Sequence, residues 1–124
     1  MLQTTFPVLR IFDVDKAKEY YIEWLGFKLE WEHRFGENFP LYMEVSKDNI
    51  KIHLSEHYGD ATPGSKVMIN CTDIQAYCDK LRAKDYRYYK PGVEKTFYNT
   101  LCMNLTDPFG NRLSFNEELH ESTQ

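Results

Sequence analysis

The sequence predicts an α+β fold made of two tandem β-α-β-β-β modules. Three observations carry this reading: an internal repeat at an offset of about sixty residues, the same order of strand-like and helix-like periodicity in both halves, and a polar, Gly- and Pro-containing stretch between them. In the repeat, Ile11-Phe12-Asp13-Val14 is answered by Cys71-Thr72-Asp73-Ile74, and Leu41-Tyr42-Met43-Glu44-Val45 by Leu101-Cys102-Met103-Asn104-Leu105. Lys51-Ile52-His53-Leu54 is answered by Arg112-Leu113-Ser114-Phe115 one position late, as if the preceding turn were a residue longer. Three matches in chain order make a duplication.

Each element follows from its local pattern. Phe6 to Phe12 alternates around Val8, with Pro7 at a strand start. Asp13 or Asp15 supplies a short side-chain oxygen to cap a helix. Ala17, Tyr20, Tyr21, Trp24 and Leu25 fall near 3.6-residue spacing and form its buried face, and Gly26 ends it. Strands follow near Phe27 to Arg34, Pro40 to Ser46 and Ile50 to Ser55, the last two joined by the turn Lys47-Asp48-Asn49. The second module repeats the plan: a strand near Lys66 to Cys71, a helix from Asp73 to Lys84 burying Ile74, Tyr77, Cys78 and Leu81, and strands near Arg87 to Lys90, Thr100 to Thr106 and Arg112 to Glu117. Asp107-Pro108-Phe109-Gly110-Asn111 joins the last pair as a tight loop. The whole reads as a single domain, 1–124, with module 1 at about 5–56, a linker at 57–65, module 2 at about 66–118 and a polar tail at 119–124.

Composition narrows the function. A net charge of -4 without clustered Lys and Arg excludes a nucleic-acid partner and favours basic small molecules. No apolar run is long enough for a membrane span, and MLQTTFPVLR lacks a signal-peptide layout, so a cytoplasmic location is expected. Cys71, Cys78 and Cys102 form no C-x-x-C pair and read as reduced core residues. There is no G-x-S-x-G elbow and no G-x-G-x-x-G or phosphate loop. His53 and His57 are spaced i and i+4, but on a strand such side chains stand about 13 Å apart, too far to share one ion. His33 and His120 add no metal-binding spacing. The aromatic share of 15% is high, and it supplies either core or the faces of a binding wall.

Leu9-Arg10-Ile11 through Asp13, the helix end Trp24-Leu25-Gly26-Phe27, His53-Leu54-Ser55-Glu56-His57-Tyr58-Gly59-Asp60, Pro63-Gly64 and Asp107-Pro108-Phe109-Gly110-Asn111-Arg112-Leu113 together resemble the glyoxalase/bleomycin resistance/dioxygenase (vicinal oxygen chelate) superfamily, in particular its bleomycin resistance branch. The resemblance covers about residues 6 to 118. It implies curved mixed sheets around a cleft, usually in a homodimer that shares the cleft.

Enzymes of that superfamily hold a divalent metal with His and Glu from both modules. Matched residue by residue, the resemblance places those ligands at Phe6, His53, Lys66 and Ser114. Only His53 is a good donor, since Phe has no lone pair, Lys is a cation and Ser ligates poorly. No metal or other cofactor is therefore expected. The implied function is non-catalytic sequestration of a small planar or basic drug-like molecule, with a bleomycin-type antibiotic as the family's example. The alternative is a metal-dependent lyase, isomerase or dioxygenase with a displaced site at His53. Trp31, Phe35, Phe39, Tyr42, His53 and Tyr98 are the candidate wall, and Glu32 to Asn38 its rim. Similar proteins carry Trp-Gly and then Arg-Glu before the D-P-F-G-N turn, whereas this chain has Phe97-Tyr98-Asn99-Thr100-Leu101-Cys102, with Tyr98 in place of the Trp.

Overall fold

A computed structural model describes residues 1–84, 86 and 90–119. It divides into two compact units, Met1–Ser65 with Asp107–Asn111, and Lys66–Thr106 with Arg112–Gln124. The first contains β1 (Val8–Arg10), α1 (Val14–Lys18) continuing as a π-helical segment (Glu19–Trp24), β2 (Lys28–Arg34), β3 (Leu41–Lys47) and β4 (Ile50–Ser55). The second contains β5 (Lys66–Asn70), α2 (Ile74–Ala83), β6 (Glu94–Lys95), β7 (Thr100–Thr106) and β8 (Arg112–Glu118). Each unit has one four-stranded mixed sheet, in the orders β1-β4-β3-β2 and β5-β8-β7-β6. In both, the first strand pairs parallel with the last and the remaining pairs are antiparallel. The duplication in sequence is thus a duplication of topology.

The first helix starts as expected. Asp13 is extended (φ -152°, ψ 114°) and its carboxylate accepts from the Lys16 amide at 3.0 Å. Beyond Lys18 the regular 3.6-residue helix predicted from the spacing gives way to a wider coil, and the Leu25 amide donates to the Tyr20 carbonyl five residues back at 2.9 Å. Tyr20 and Tyr21, and Trp24 and Leu25, are adjacent pairs that are all buried. A wider turn brings the members of each pair closer together on the inner face than an α-helix does. Gly26, at φ 87°, then reverses the chain in a conformation that a β-carbon disfavours.

The second helix is capped differently. Asp73 adopts φ 56° and makes no side-chain cap; the carboxylate of Glu117 on β8 instead accepts from the amides of Asp73 (3.2 Å) and Ile74 (3.0 Å). Ile74, Cys78 and Leu81 are buried as the pattern requires, whereas Tyr77, expected with them, is only half-buried and packs edge-on against Phe115. Of the strand predicted near Arg87 to Lys90, Arg87, Tyr88 and Tyr89 lie outside the described residues and Lys90 is not in a strand; among the described residues, the strand beside β7 on the side away from β8 is the two-residue β6. The tail beyond Leu119 also lies outside them. All three cysteines are free, and burial pushes the thiols of Cys71 and Cys78 up, away from the reactive thiolate. No helix among the described residues is long and apolar enough to cross a membrane.

The core of the first unit holds Leu9 and Ile11 of β1 and the segment after it, Leu41, Met43 and Val45 of β3, Ile52 and Leu54 of β4, and the buried helical aromatics. The 107–111 loop belongs to this unit. Asp107 is buried, and its carboxylate accepts from the Tyr21 hydroxyl (2.6 Å), the amides of Phe109 (2.8 Å) and Asn111 (2.9 Å), and the Asn111 side chain (2.9 Å). The same Asn111 nitrogen donates to the Arg10 carbonyl at 2.7 Å.

Burial first, and then the charge of Asp107, lift the Tyr21 phenol well above its ordinary value. An unfolded tyrosine ionises near pH ~10, whereas the folded one keeps its proton to higher pH. Below that value both states are protonated and Tyr21 adds no pH dependence. As pH rises through the window above it, the unfolded chain releases a proton that the native chain retains, and stability falls. Tyr21→Phe is expected to flatten this alkaline decline in urea melts run across that window, while costing about 1–2 kcal/mol at neutral pH for the lost bond to a buried carboxylate.

Candidate ligand-binding face

Strand alternation gives the first sheet a second face, opposite its buried aliphatic row. Pairing sets Glu44 opposite His53 and Tyr42 opposite Ser55, so these four side chains share that face. Register also places Trp31 beside Glu44, and His33 beside Tyr42, on the neighbouring β2.

At its centre is a chain of hydrogen bonds. The Tyr42 hydroxyl lies 2.6 Å from His53 Nδ1, and His53 Nε2 lies 3.0 Å from Glu44 Oε1. With the imidazole proton on Nε2, Tyr42 donates to Nδ1 and Nε2–H donates to Glu44, so every group in the chain is paired. Glu44 is only 7% exposed; its other oxygen has the Lys51 ammonium at 3.9 Å. Beside the chain, the Ser55 hydroxyl donates to Asp60 at 2.6 Å. Burial first, then the negative charges of Asp60 and Glu44, raise the Tyr42 phenol above its usual value, which keeps it a donor. The charges of Asp60 and Glu44, though not the burial, make the field at the Tyr42 oxygen negative.

Aromatic rings surround this chain. Phe6 stacks on His53 (4.8 Å between centroids, 22° between planes), Trp31 stacks on Tyr42 (5.9 Å, 12°), and Trp31 also meets His53 edge-on at 5.5 Å. His57 lies 6.4 Å from Tyr42 and 6.2 Å from Phe35, which packs on His33. Trp31 remains 44% exposed and Phe35 74%. Of the six wall residues read from the sequence, Trp31, Tyr42 and His53 thus touch one another, and Phe35 joins them through His57. Phe39 sits on the loop beside Gly36, its carbonyl accepting from Arg34 at 2.7 Å. Tyr98 lies in the second unit, edge-on to Phe97.

Glu44, Phe6, His57 and Asp60 were not among the wall residues expected from the sequence. Glu44 had a legible signal: the hairpin turn Lys47-Asp48-Asn49 sets Lys47 opposite Ile50, and counting back along both strands reaches Glu44 and His53.

A sequence model of glyoxalase superfamily proteins matches residues 1–122. The chain belongs to the glyoxalase superfamily. Its fold is that of solved structures such as TnmS3, an antibiotic binding protein from Streptomyces sp. CB03234, at 20% identity over 96% of this chain and 98% of that one, with a TM-score of 0.74. A bleomycin resistance determinant encoded on the transposon Tn5 shares 16% identity over 96% and 100% of the two chains, with a TM-score of 0.72. A bleomycin-binding protein complexed with bleomycin shares 18% over 95% and 100%, with a TM-score of 0.71. No curated protein matches the sequence.

The metal of the superfamily's enzymes does not fit the residues at its matched positions here. Phe6 offers a ring face to His53 in place of a lone pair, and both nitrogens of His53 are already engaged by Tyr42 and Glu44. Lys66 is exposed, and Ser114 is tied into hydrogen bonds of its own sheet. Among the described residues no three His, Cys, Asp or Glu side chains group around a point that could hold an ion.

Proposed function

We propose that the protein binds and holds a small planar, basic molecule on the Trp31–Tyr42 face without transforming it. The observation that carries this reading is the parallel stack of Trp31 on Tyr42, accessible on the Trp31 side, with Glu44 beside Trp31 in register and the charges of Glu44 and Asp60 acting at the Tyr42 oxygen. Aromatic faces offer stacking and cation–π attraction, and the two carboxylates add a field of matching sign. Both nitrogens of His53 are engaged in the Tyr42–His53–Glu44 chain, so the imidazole has no free nitrogen to act on a bound molecule, which suits retention better than turnover. The printed names of the similar structures, an antibiotic binding protein and bleomycin-binding proteins, support a bleomycin-type antibiotic as the first ligand to try. A homodimer in the cytoplasm is the form we propose; for the dimer, β1 and β2 stand at the two ends of their sheet among the described residues, and such edges gain from association.

Titration calorimetry of the full chain against metal-free bleomycin and against ethidium, a smaller planar cation, checks this. Saturable heat with at least one of them, weakening as salt is added, is the expected result. An absence of heat with both removes the proposal.

A further inference from the structure

Two tyrosines of the first unit donate their hydroxyls to a basic group, Tyr21 to the Asp107 carboxylate and Tyr42 to His53 Nδ1, each at 2.6 Å. A phenol that gives up an electron becomes a strong acid, so it is oxidised most easily where a base already holds its proton. The two bases differ. An imidazole is a far stronger base than a carboxylate, and Asp107 is also committed to three further donors.

The surroundings of His53 also suit an arriving proton. Protonation at Nδ1 makes an imidazolium whose Nε2–H already points at Glu44 Oε1, 3.0 Å away, so the new positive charge forms against a carboxylate. The Lys51 ammonium, 3.9 Å from the other Glu44 oxygen, opposes this, but its side chain is half-exposed and its charge is screened by water. The negative charge of Asp60 acts in the same favourable sense at the Tyr42 oxygen. Phe6 covers one face of the imidazole at 4.8 Å, which shields the transferred proton from solvent.

Access separates the two tyrosines further. Tyr21 is buried, and its ring meets the buried Tyr20 and Phe27. Tyr42 instead lies under Trp31, nearly parallel to it at 5.9 Å, and Trp31 is exposed. An oxidant in solution thus reaches the indole, and the stacked rings are close enough for an electron to cross between them.

We propose that Trp31, Tyr42 and His53 form a one-electron donor site that quenches oxidising radicals of the organic peroxyl class. The radical takes one electron from the Trp31 indole and leaves as a hydroperoxide anion. Tyr42 returns an electron to the indole as its O–H bond breaks, and the proton forms a new N–H bond at His53 Nδ1. A neutral tyrosyl radical then stands beside an imidazolium paired with Glu44; the protein has lost one electron and no atoms. No bound ligand takes part, so this activity stands or falls separately from binding on the same face.

Pulse radiolysis of the full chain with the azide radical, a small neutral oxidant that attacks indoles first, tests this by optical absorption. The indolyl band is expected to decay as a phenoxyl band grows, at a rate independent of protein concentration and slower in D2O than in H2O. Tyr42→Phe keeps the ring under Trp31 but has no O–H, and should lengthen the indolyl lifetime at least about tenfold. His53→Gln keeps an acceptor but not a base, and should slow the conversion by a similar factor. No phenoxyl growth in the unaltered protein, or an unchanged indolyl lifetime in either variant, overturns the proposal. Should neither variant fold, the isotope comparison on the unaltered protein decides, and equal rates in the two solvents overturn it.

Discussion

Asp107→Ala is expected to lower the unfolding free energy by about 3–5 kcal/mol, read as a fall in the urea midpoint with an unchanged slope. The carboxylate accepts four hydrogen bonds inside the protein. Charge-assisted bonds of this kind contribute about 1.5–3 kcal/mol each in isolation, but they share one acceptor and their deletions do not add. The larger part of the loss is what is left behind: a buried Tyr21 hydroxyl, two loop amides and the Asn111 side chain must find other acceptors or go without. Against a total stability of about 5–15 kcal/mol, this removes a large fraction. Asp107→Asn separates charge from shape, because a carboxamide can still accept from Tyr21 but presents an N–H to donors on its other side. It should fall between the wild type and the alanine variant. A loss under about 1 kcal/mol for Asp107→Ala would mean that the loop is held by its backbone alone.

How well the sequence foretold these features depends on how far apart their parts lie. β4 is found over the whole of its predicted range, Ile50 to Ser55, because Lys47-Asp48-Asn49 marks its start and Asp48 takes the positive φ such a turn needs. Helix faces were equally legible, since Ala17, Tyr20, Tyr21, Trp24 and Leu25 are all buried. The π-helical widening was not, because it answers to the bulk of neighbouring aromatic pairs and leaves the periodicity of the sequence nearly unchanged. β6 escaped notice for another reason: it is two residues long, while the Tyr-rich stretch before it has the stronger strand propensity. The Tyr21–Asp107 bond joins residues 86 apart, and no local pattern announces it. The D-P-F-G-N turn was visible as a turn; its role as the acceptor for a helix tyrosine was not. The binding face shows the same division. Trp31, Tyr42 and His53 stand out by residue type, whereas Glu44 looks like any polar position on a strand until the hairpin register sets it against His53.

That pairing leads to the second large effect. Trp31→Ala is expected to weaken binding of a planar cation about 10- to 50-fold, or roughly 1.4–2.3 kcal/mol, in calorimetric titrations with ethidium. Trp31 presents the exposed side of the stack, so a ligand resting on it gains an indole face and covers apolar area that is otherwise wet. Losing the stack on Tyr42 should cost the fold only about 0.5–1.5 kcal/mol, so the variant stays native and its binding can be measured. Charge is a separate contribution. Glu44→Gln leaves an oxygen to accept from His53 Nε2–H while removing the negative charge, so ethidium affinity should fall less than in Trp31→Ala while its salt dependence shrinks. If stacking and charge act together on one ligand, the double variant loses less than the sum of the single losses, because a cation no longer held against the indole also feels Glu44 less. Equal affinity in Trp31→Ala and the wild type would place the ligand elsewhere, and additivity in the double variant would mean that the ring and the carboxylate act on it independently.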